Sequence, residues 1–263
     1  MAEQTWTKFP LSSRNPLYTC LFRAEHLIIK LASRSEVQRH CAFHTACPDA
    51  VVEVKHVFSS KHIAQSEHRR SNRVCMAMPL YPEDVFDVLT DGRDSQDCLE
   101  EVFVSGLKAL QSFHRGTGYV HADVKGENFV RKADGSLALL DFEFSCKVNS
   151  RLSPSATSKF IGTDIFAAPE CFASNNSVVG FKADVYSWAV SLLTHVSNIN
   201  DDWEEPCLDQ LARGVEAELH RYIKKAQRRH LISSGFASVL TSCTLTKVQT
   251  RFSTEQALAA LLN

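Results

Sequence analysis

Two carboxylates, a lysine and a carboxamide lie close together in the middle of this chain. Asp123, Lys125 and Asn128 belong to the stretch HADVKGEN that begins at His121, and Asp141 follows a short apolar run. Transfer of a phosphoryl group requires a base for the acceptor hydroxyl, positive charge beside the phosphate, and oxygen ligands for magnesium. These four side chains can meet all three requirements, so the stretch predicts phosphoryl-transfer chemistry.

Each of the four side chains has its own predicted role. Asp123 is the candidate base that orients the attacking hydroxyl and accepts its proton, and Lys125 neutralises charge on the transferring phosphate. Asn128 and Asp141 are the candidate magnesium ligands. Apolar segments on either side of residues 132–136 predict two short strands joined in a hairpin, which would carry the metal ligands at its ends.

Three more motifs follow in order along the chain. GTDIFAAPE begins at Gly162, DVYSWAV begins at Asp184 and RFSTEQAL begins at Arg251. Together with HADVKGEN, they resemble the motifs of the eukaryotic-type protein kinase superfamily. The resemblance implies that Asp184 holds the backbone of the catalytic loop and that Arg251 pairs with Glu170 in a structural ion pair.

The resemblance also implies the architecture. We expect an α+β, two-lobed protein kinase fold, with a small β-rich N-lobe over residues 1–80 and a larger helical C-lobe over residues 81–263, which together form one protein kinase domain. A length of 263 residues, a formal charge of −1 and 44% hydrophobic residues fit one compact two-lobed enzyme. Helical spacing predicts buried faces at Leu99, Phe103, Leu107 and Leu110, at Val185, Trp188, Leu192 and Leu193, and, in a last short helix, at Ala257, Leu258, Leu261 and Leu262.

The nucleotide is expected to bind in the N-lobe. The strand LIIK, which ends at Lys30, resembles the V-A-I-K strand of the family, so Lys30 is the predicted nucleotide lysine. A helix that begins near Ser33 or Ser35 offers two partners for this lysine, Glu36 and His40. Glu36 is preferred, because a histidine cannot neutralise an ammonium as a carboxylate does.

The joint between the lobes is the second predicted contact with the nucleotide. It lies near the run AMPLYP, where Ala77 and Met78 are the candidate contacts of the adenine ring. ATP and magnesium are therefore the cofactors that the resemblance implies.

Three departures from the family pattern fall close to the predicted chemistry. No glycine occurs before Gly92, so residues 12–17 take the place of the glycine-rich phosphate loop. Ala122 replaces an arginine that receives the activation-segment phosphate in many members, which predicts an enzyme that does not require this phosphorylation. Glu143 replaces the glycine of D-F-G; it adds a carboxylate near Asp141 and is expected to slow or retune the enzyme.

Three functions stay open at this point. Lys125 and Thr163 favour a serine/threonine protein kinase. The Asp-Phe-Glu sequence at residue 141 also resembles choline and aminoglycoside phosphotransferases, but these do not explain Lys125, the GTDIFAAPE segment or Arg251. A pseudokinase scaffold would explain the missing glycines, although not the full set of polar groups at family spacing.

The remaining sequence features concern partners and compartment. No apolar run reaches the roughly 18 residues of a membrane span, and nine scattered cysteines without C-x-x-C spacing read as reduced thiols. We expect a soluble, intracellular protein in the cytoplasm; the basic cluster that begins at Lys224 fits a solvated helix end better than a nuclear address. Its expected partners are ATP and a protein substrate with a Ser or Thr acceptor, with no nucleic acid and no membrane; the sequence leaves the oligomeric state open.

The short length of the chain and its glycine-free loop resemble those of compact kinases of large DNA viruses such as herpesviruses.

Overall fold

A computed structural model describes residues 7–8, 21–24, 26–59, 73–81, 84–85, 96–148, 163–171, 179–198 and 215–262. The predicted phosphate loop at residues 12–17 lies outside the described residues. Within them, a β-sheet and one helix precede a larger helical region.

One antiparallel sheet of five strands forms the first part of the protein, in the order β1-β2-β3-β5-β4. Alternation of side chains gives the sheet two apolar faces. One face carries Met76 and Met78 and packs against residues that follow the sheet, and the other carries Ile29 and Ala77. The strands are β1 (Thr7–Lys8), β2 (Leu21–Ala24), β3 (Leu27–Ser33), β4 (His56–Ser59) and β5 (Arg73–Pro79).

Helix α1 (Arg34–Ala46) follows β3 directly. Its N-terminus is a capping box: the Ser33 hydroxyl accepts a hydrogen bond from the Glu36 amide, and the Glu36 carboxylate accepts one from the Ser33 amide. The predicted start near Ser33 or Ser35 is therefore confirmed, with Ser33 as the N-cap.

Five more helices build the second part of the described chain around one large core. The three predicted helical faces are buried except at the end of the last one. Leu261 is only partly buried and Leu262 is 61% exposed, because α6 ends there. The helices are α2 (Gln96–Thr117), α3 (Phe181–Asn198), α4 (Val215–Arg228), α5 (Ser234–Cys243) and α6 (Thr254–Leu262).

Two short strand pairs lie between α2 and α3. The predicted hairpin is confirmed as β7 (Phe129–Arg131) and β8 (Leu137–Leu139), which pair with each other. The second pair is formed by β6 (Tyr119–Val120), before the hairpin, and β9 (Cys146–Lys147), after it. Strand β8 also exchanges backbone hydrogen bonds with residues 50–52. This contact joins the hairpin to the loop between α1 and β4.

Among the described helices, none combines the length and apolar character that a bilayer crossing requires.

Candidate active site

Lys30 on β3 lies between two carboxylates. Its Nζ is 2.7 Å from Glu36 Oε1 on α1 and 2.7 Å from Asp141 Oδ1, which follows β8 by two residues. Burial alone would lower the pKa of Lys30, but the charges of Asp141 and Glu36 outweigh it and raise this pKa above its ordinary value. The ammonium is therefore held in its charged form between Glu36, its predicted partner, and Asp141, which the sequence predicted only as a metal ligand.

The residue at the alternative position, His40, does not pair with Lys30. Its Nε2 lies 2.7 Å from the carbonyl oxygen of Val52, and its ring contacts the edge of Phe142. Glu36 is the side chain that reaches the lysine, because it lies one turn nearer to β3.

Asp123, Lys125 and Asn128 converge in the loop between β6 and β7. The Asn128 amide donates to the backbone carbonyl of Asp123 at 2.7 Å and to Asp123 Oδ2 at 3.1 Å. On the other side, Thr163 donates its hydroxyl to Asp123 Oδ1 at 2.8 Å and accepts from Lys125 Nζ at 2.8 Å. The Asp123 carboxylate is thus oriented through both of its oxygens.

A buried network fixes the backbone of this loop. Asp184 accepts hydrogen bonds from the amides of His121 at 2.7 Å and Ala122 at 3.0 Å, which confirms the role that the resemblance implied for it. His114 contacts the same carboxylate at 2.7 Å, and the His121 ring contacts the carbonyl of Leu140 at 2.8 Å. The last contact links the loop that carries Asp123 to the residue before Asp141.

The donors around Asn128 and Asp141 suit a magnesium ion. Because the Asn128 amide nitrogen is committed to Asp123, its orientation is set and its oxygen is the atom that a cation would contact. One carboxylate and one amide oxygen are few ligands, but Mg²⁺ bound with a nucleotide takes its remaining ligands from phosphates and water. Among the described residues no group of three or more His, Cys, Asp or Glu forms a protein-only metal site.

Phe142 anchors the segment that carries Asp141. Its side chain is fully buried, and its ring lies 5.0 to 5.2 Å from the rings of His40, Phe43, Phe113 and His121. Aromatic packing of this density fixes the backbone on both sides of Phe142. The position of the Asp141 carboxylate therefore depends on residues of α1 and α2.

The two predicted adenine contacts face opposite sides of the sheet. Met78 lies on the same face of the sheet as Ile28 and Met76, and Lys30 is the residue paired with Met76 on the neighbouring strand. Met78 therefore stays the predicted contact of the adenine ring. Ala77 packs on the other face with Ile29, and its carbonyl accepts the Lys55 amide at 2.8 Å. Its side chain is directed away from the predicted nucleotide site, because neighbouring residues of a strand point in opposite directions.

The remaining predicted ion pair is present and bidentate. Arg251, which is fully buried, donates to both carboxylate oxygens of Glu170 at 2.6 and 2.9 Å. The guanidinium also donates to the carbonyls of Lys182 and Leu245. This pair joins the end of the GTDIFAAPE segment to the loop before α6, at a distance from the catalytic groups, and it is structural.

Sequence reasoning missed three contributors to the site. It did not predict that His114 shares Asp184 or that Thr163 bridges Asp123 and Lys125. It also gave no role to Arg39, whose side chain reaches the backbone of residues 142–145. Arg39 lies three residues after Glu36, so a helical projection of α1 is the signal that places both on one face.

Comparison with known families identifies the chain. The protein kinase domain family matches residues 29–261, which is most of the sequence, so the chain belongs to this family. The predicted α+β, two-lobed kinase fold is thereby confirmed. Membership implies in general that a protein substrate, ATP and a divalent metal ion are used.

Relatives of the chain are named as serine/threonine protein kinases. Serine/threonine-protein kinase PAK 5 of Rattus norvegicus is 26% identical over 154 residues, which are 59% of this chain and 21% of that protein. Serine/threonine-protein kinase shk1/pak1 of Schizosaccharomyces pombe is 28% identical over 156 residues, 59% of this chain and 22% of the relative. Serine/threonine-protein kinase CG17528 of Drosophila melanogaster is 25% identical over 182 residues, 64% of this chain and 23% of the relative. The chain thus spans less than a quarter of the length of these curated relatives, and the resemblance to viral kinases stays a prediction.

Proposed function

We propose that this chain is an ATP- and magnesium-dependent serine/threonine protein kinase that transfers the γ-phosphate of ATP to protein hydroxyl groups. The observation that carries the proposal is the hydrogen-bonded set of Asp123, Lys125 and Thr163. It joins the candidate base to the segment that precedes Ala-Pro-Glu. Fold maintenance alone does not require this arrangement of a carboxylate and an ammonium.

The side chains divide the work of the transfer. Asp123 orients the acceptor hydroxyl and takes its proton as the oxygen attacks phosphorus, and Lys125 offsets negative charge on the transferring group. Asn128 and Asp141 hold Mg²⁺, which supplies charge neutralisation at the phosphate oxygens when it is bound. Lys30, held by Glu36, contacts the phosphates nearer to the nucleoside.

The acceptor class follows from Lys125 and Thr163. Both residues occur where the resemblance to serine/threonine kinases places them, and the relatives reported above carry that name. Lys125 lies 3.4 Å from Asp123, so its charge is beside the base. This residue pattern and the names of the relatives support serine or threonine as the acceptor.

A panel of acceptors tests the proposal. The purified chain is incubated with labelled ATP and Mg²⁺ or Mn²⁺, together with basic and acidic proteins, choline, or an aminoglycoside. Asp141→Asn is the control, because it removes a metal ligand and leaves a side chain of the same size. We expect labelled phosphoserine or phosphothreonine with the parent chain and almost none with the control.

Two other results would contradict the proposal. Label in choline or the aminoglycoside would show a small-molecule phosphotransferase instead. A folded chain that transfers no label to any acceptor would favour the scaffold.

A further inference from the structure

We infer that Arg39 is a positioning residue that holds the segment after Asp141 in the arrangement needed for metal binding. The inference rests on the proposed function, since it concerns the metal ligand of the same site. Within the part of the chain that the structure describes, the Arg39 side chain donates to backbone carbonyl groups, so it acts on the site through the backbone.

The contact joins one cation to three carbonyl groups. Nη1 of Arg39 donates to the carbonyl oxygens of Phe142 at 3.2 Å, Glu143 at 3.3 Å and Ser145 at 2.8 Å. A guanidinium nitrogen of this type carries only two hydrogens, so the three acceptors share them. Three carbonyl dipoles that converge on one positive charge would repel one another if the charge were removed.

Helix α1 reaches the same segment at three places. Glu36, Arg39 and His40 are three and four residues apart, so they lie on one face of the helix. Glu36 holds Lys30, which contacts the Asp141 carboxylate; His40 contacts the ring of Phe142; and Arg39 holds the backbone. The Phe142 ring fixes the segment on its buried side, and Arg39 fixes it on the half-exposed side.

The backbone at Asp141 explains why such a support is required. Asp141 has φ of 59°, in the left-handed region that residues other than glycine rarely adopt. The fold must therefore stabilise this conformation from outside the residue. The catalytic loop has alanine at position 122, so the cation that holds the start of this segment comes from α1 and requires no phosphate.

Three variants separate this role from a general effect on stability. Arg39→Gln removes the charge, Arg39→Lys keeps a cation with three donors, and Arg34→Gln removes an exposed arginine from the first turn of the same helix. For each, we would measure kcat, KM for ATP and for the protein acceptor, the melting temperature, and amide hydrogen exchange in residues 142–146.

Arg39→Gln is expected to lower kcat by about tenfold to 100-fold, because a displacement of about 1 Å at a catalytic group has effects of this size. KM for the protein acceptor should stay within about twofold, exchange in residues 142–146 should become faster, and the melting temperature should change little. Arg39→Lys should recover most of kcat, and Arg34→Gln should match the parent in every measurement.

Several results would overturn the inference. One such result is that Arg39→Gln keeps the parental kcat and amide exchange. Another is that Arg39→Gln changes only KM for the acceptor. A third is that Arg39→Lys is as impaired as Arg39→Gln. If the parent chain transferred no phosphate, the proposed function would fail, while the exchange comparison would still decide whether Arg39 holds the segment.

Discussion

Glutamate in place of glycine at position 143 causes no backbone strain in this structure. The described non-glycine residues with positive φ are Ala122, Asp141 and His230, so Glu143 adopts an ordinary conformation. Burial, followed by the charge of Glu36, raises the pKa of the Glu143 carboxyl above its ordinary value. The consequence of glutamate at this position is therefore electrostatic and not one of backbone strain.

Removal of the Glu143 charge should raise the magnesium requirement. A carboxylate close to the Lys30–Asp141 pair attracts a divalent cation, and a loss of about 1 kcal/mol of attraction corresponds to about a fivefold higher Mg²⁺ concentration at half-maximal rate. Glu143→Gly and Glu143→Gln should show the same shift, with KM for the protein acceptor unchanged. Magnesium titrations of the transfer rate measure this effect. A shift in the glycine variant alone would instead indicate a backbone cause, and parental titrations in both would refute the idea.

His40 gives the folded state a dependence on pH. Burial, with a smaller effect from the charge of Lys30, lowers the pKa of His40 to about 4. Between this value and the ordinary pKa near 6.5, the unfolded chain binds a proton that the folded chain does not. The free energy of unfolding therefore falls as the pH falls through this window, by about 3 kcal/mol in total from this one residue.

The variant His40→Leu should lose this contribution. At pH 7 it is expected to be less stable than the parent by about 1 kcal/mol, because Val52 loses a hydrogen-bond donor. That deficit should shrink or reverse towards pH 5. Urea unfolding at pH 7, 6 and 5 measures the difference, with His56→Gln as an exposed control that keeps the parental slope. A deficit that stays constant with pH would contradict the assignment.

At the scale of elements, α1 and α3 are the helices that place the catalytic groups. Helix α1 connects Lys30 with the segment after Asp141, and α3 supplies Asp184 to the backbone of the catalytic loop. Helix α3 is in turn fixed by Trp188, whose ring stacks on Phe103 of α2 and donates to its carbonyl at 3.0 Å. The packing of α2 on α3 thus determines where Asp123 lies.

A glycine makes this packing possible. A Cβ atom at Gly106 of α2 would lie 2.5 Å from the ring of Trp188, which is fully buried and cannot move aside. Replacement of a helical glycine by alanine gains about 1 kcal/mol from propensity, but overpacking of a core costs about 1 to 3 kcal/mol and more when backbone must move. The steric cost should prevail.

Gly106→Ala should therefore unfold at lower urea concentration than the parent, with a loss of about 2 kcal/mol. Gly235→Ala is the matched control: it also lies in a helix, and its nearest neighbouring atom would be 3.9 Å from the new Cβ. The control should be as stable as the parent or slightly more stable. Equal stability of Gly106→Ala and the parent would show that α2 and α3 can separate at low cost.

Much of this arrangement was readable from the sequence, because the motifs are local. The start of α1 near Ser33, the hairpin around residues 132–136 and most of the buried helical faces follow from spacing and turn chemistry. The choice between Glu36 and His40 needed the direction in which α1 leaves β3. Helical spacing places Arg39 on the same face of α1 as Glu36, but its partners were not predictable, because backbone carbonyls that accept a hydrogen bond leave no signature in the sequence.

At the scale of the whole molecule, the sheet and the helical region meet through strand β8. The amide of Leu139 donates to the carbonyl of Ala50 at 2.8 Å, and the amide of Val52 donates to the carbonyl of Leu139 at 3.2 Å. Val130 and Ala138 pack in the same apolar cluster as Met76 and residues of α1 and β3. Lys30 and Asp141, which come from the two parts, are therefore held within hydrogen-bond distance of each other by packing as well as by charge.

Single-turnover phosphate transfer by the parent chain and by Asp123→Asn decides whether Asp123 is the catalytic base. Asparagine keeps the shape of the side chain and the hydrogen bond from Thr163, loses the weaker bond from the Asn128 amide, and cannot accept the proton. The account predicts that the melting temperature and ATP affinity stay near parental values while turnover falls by about two orders of magnitude or more. Unchanged turnover in Asp123→Asn would contradict the account, because the proton of the acceptor would then go elsewhere.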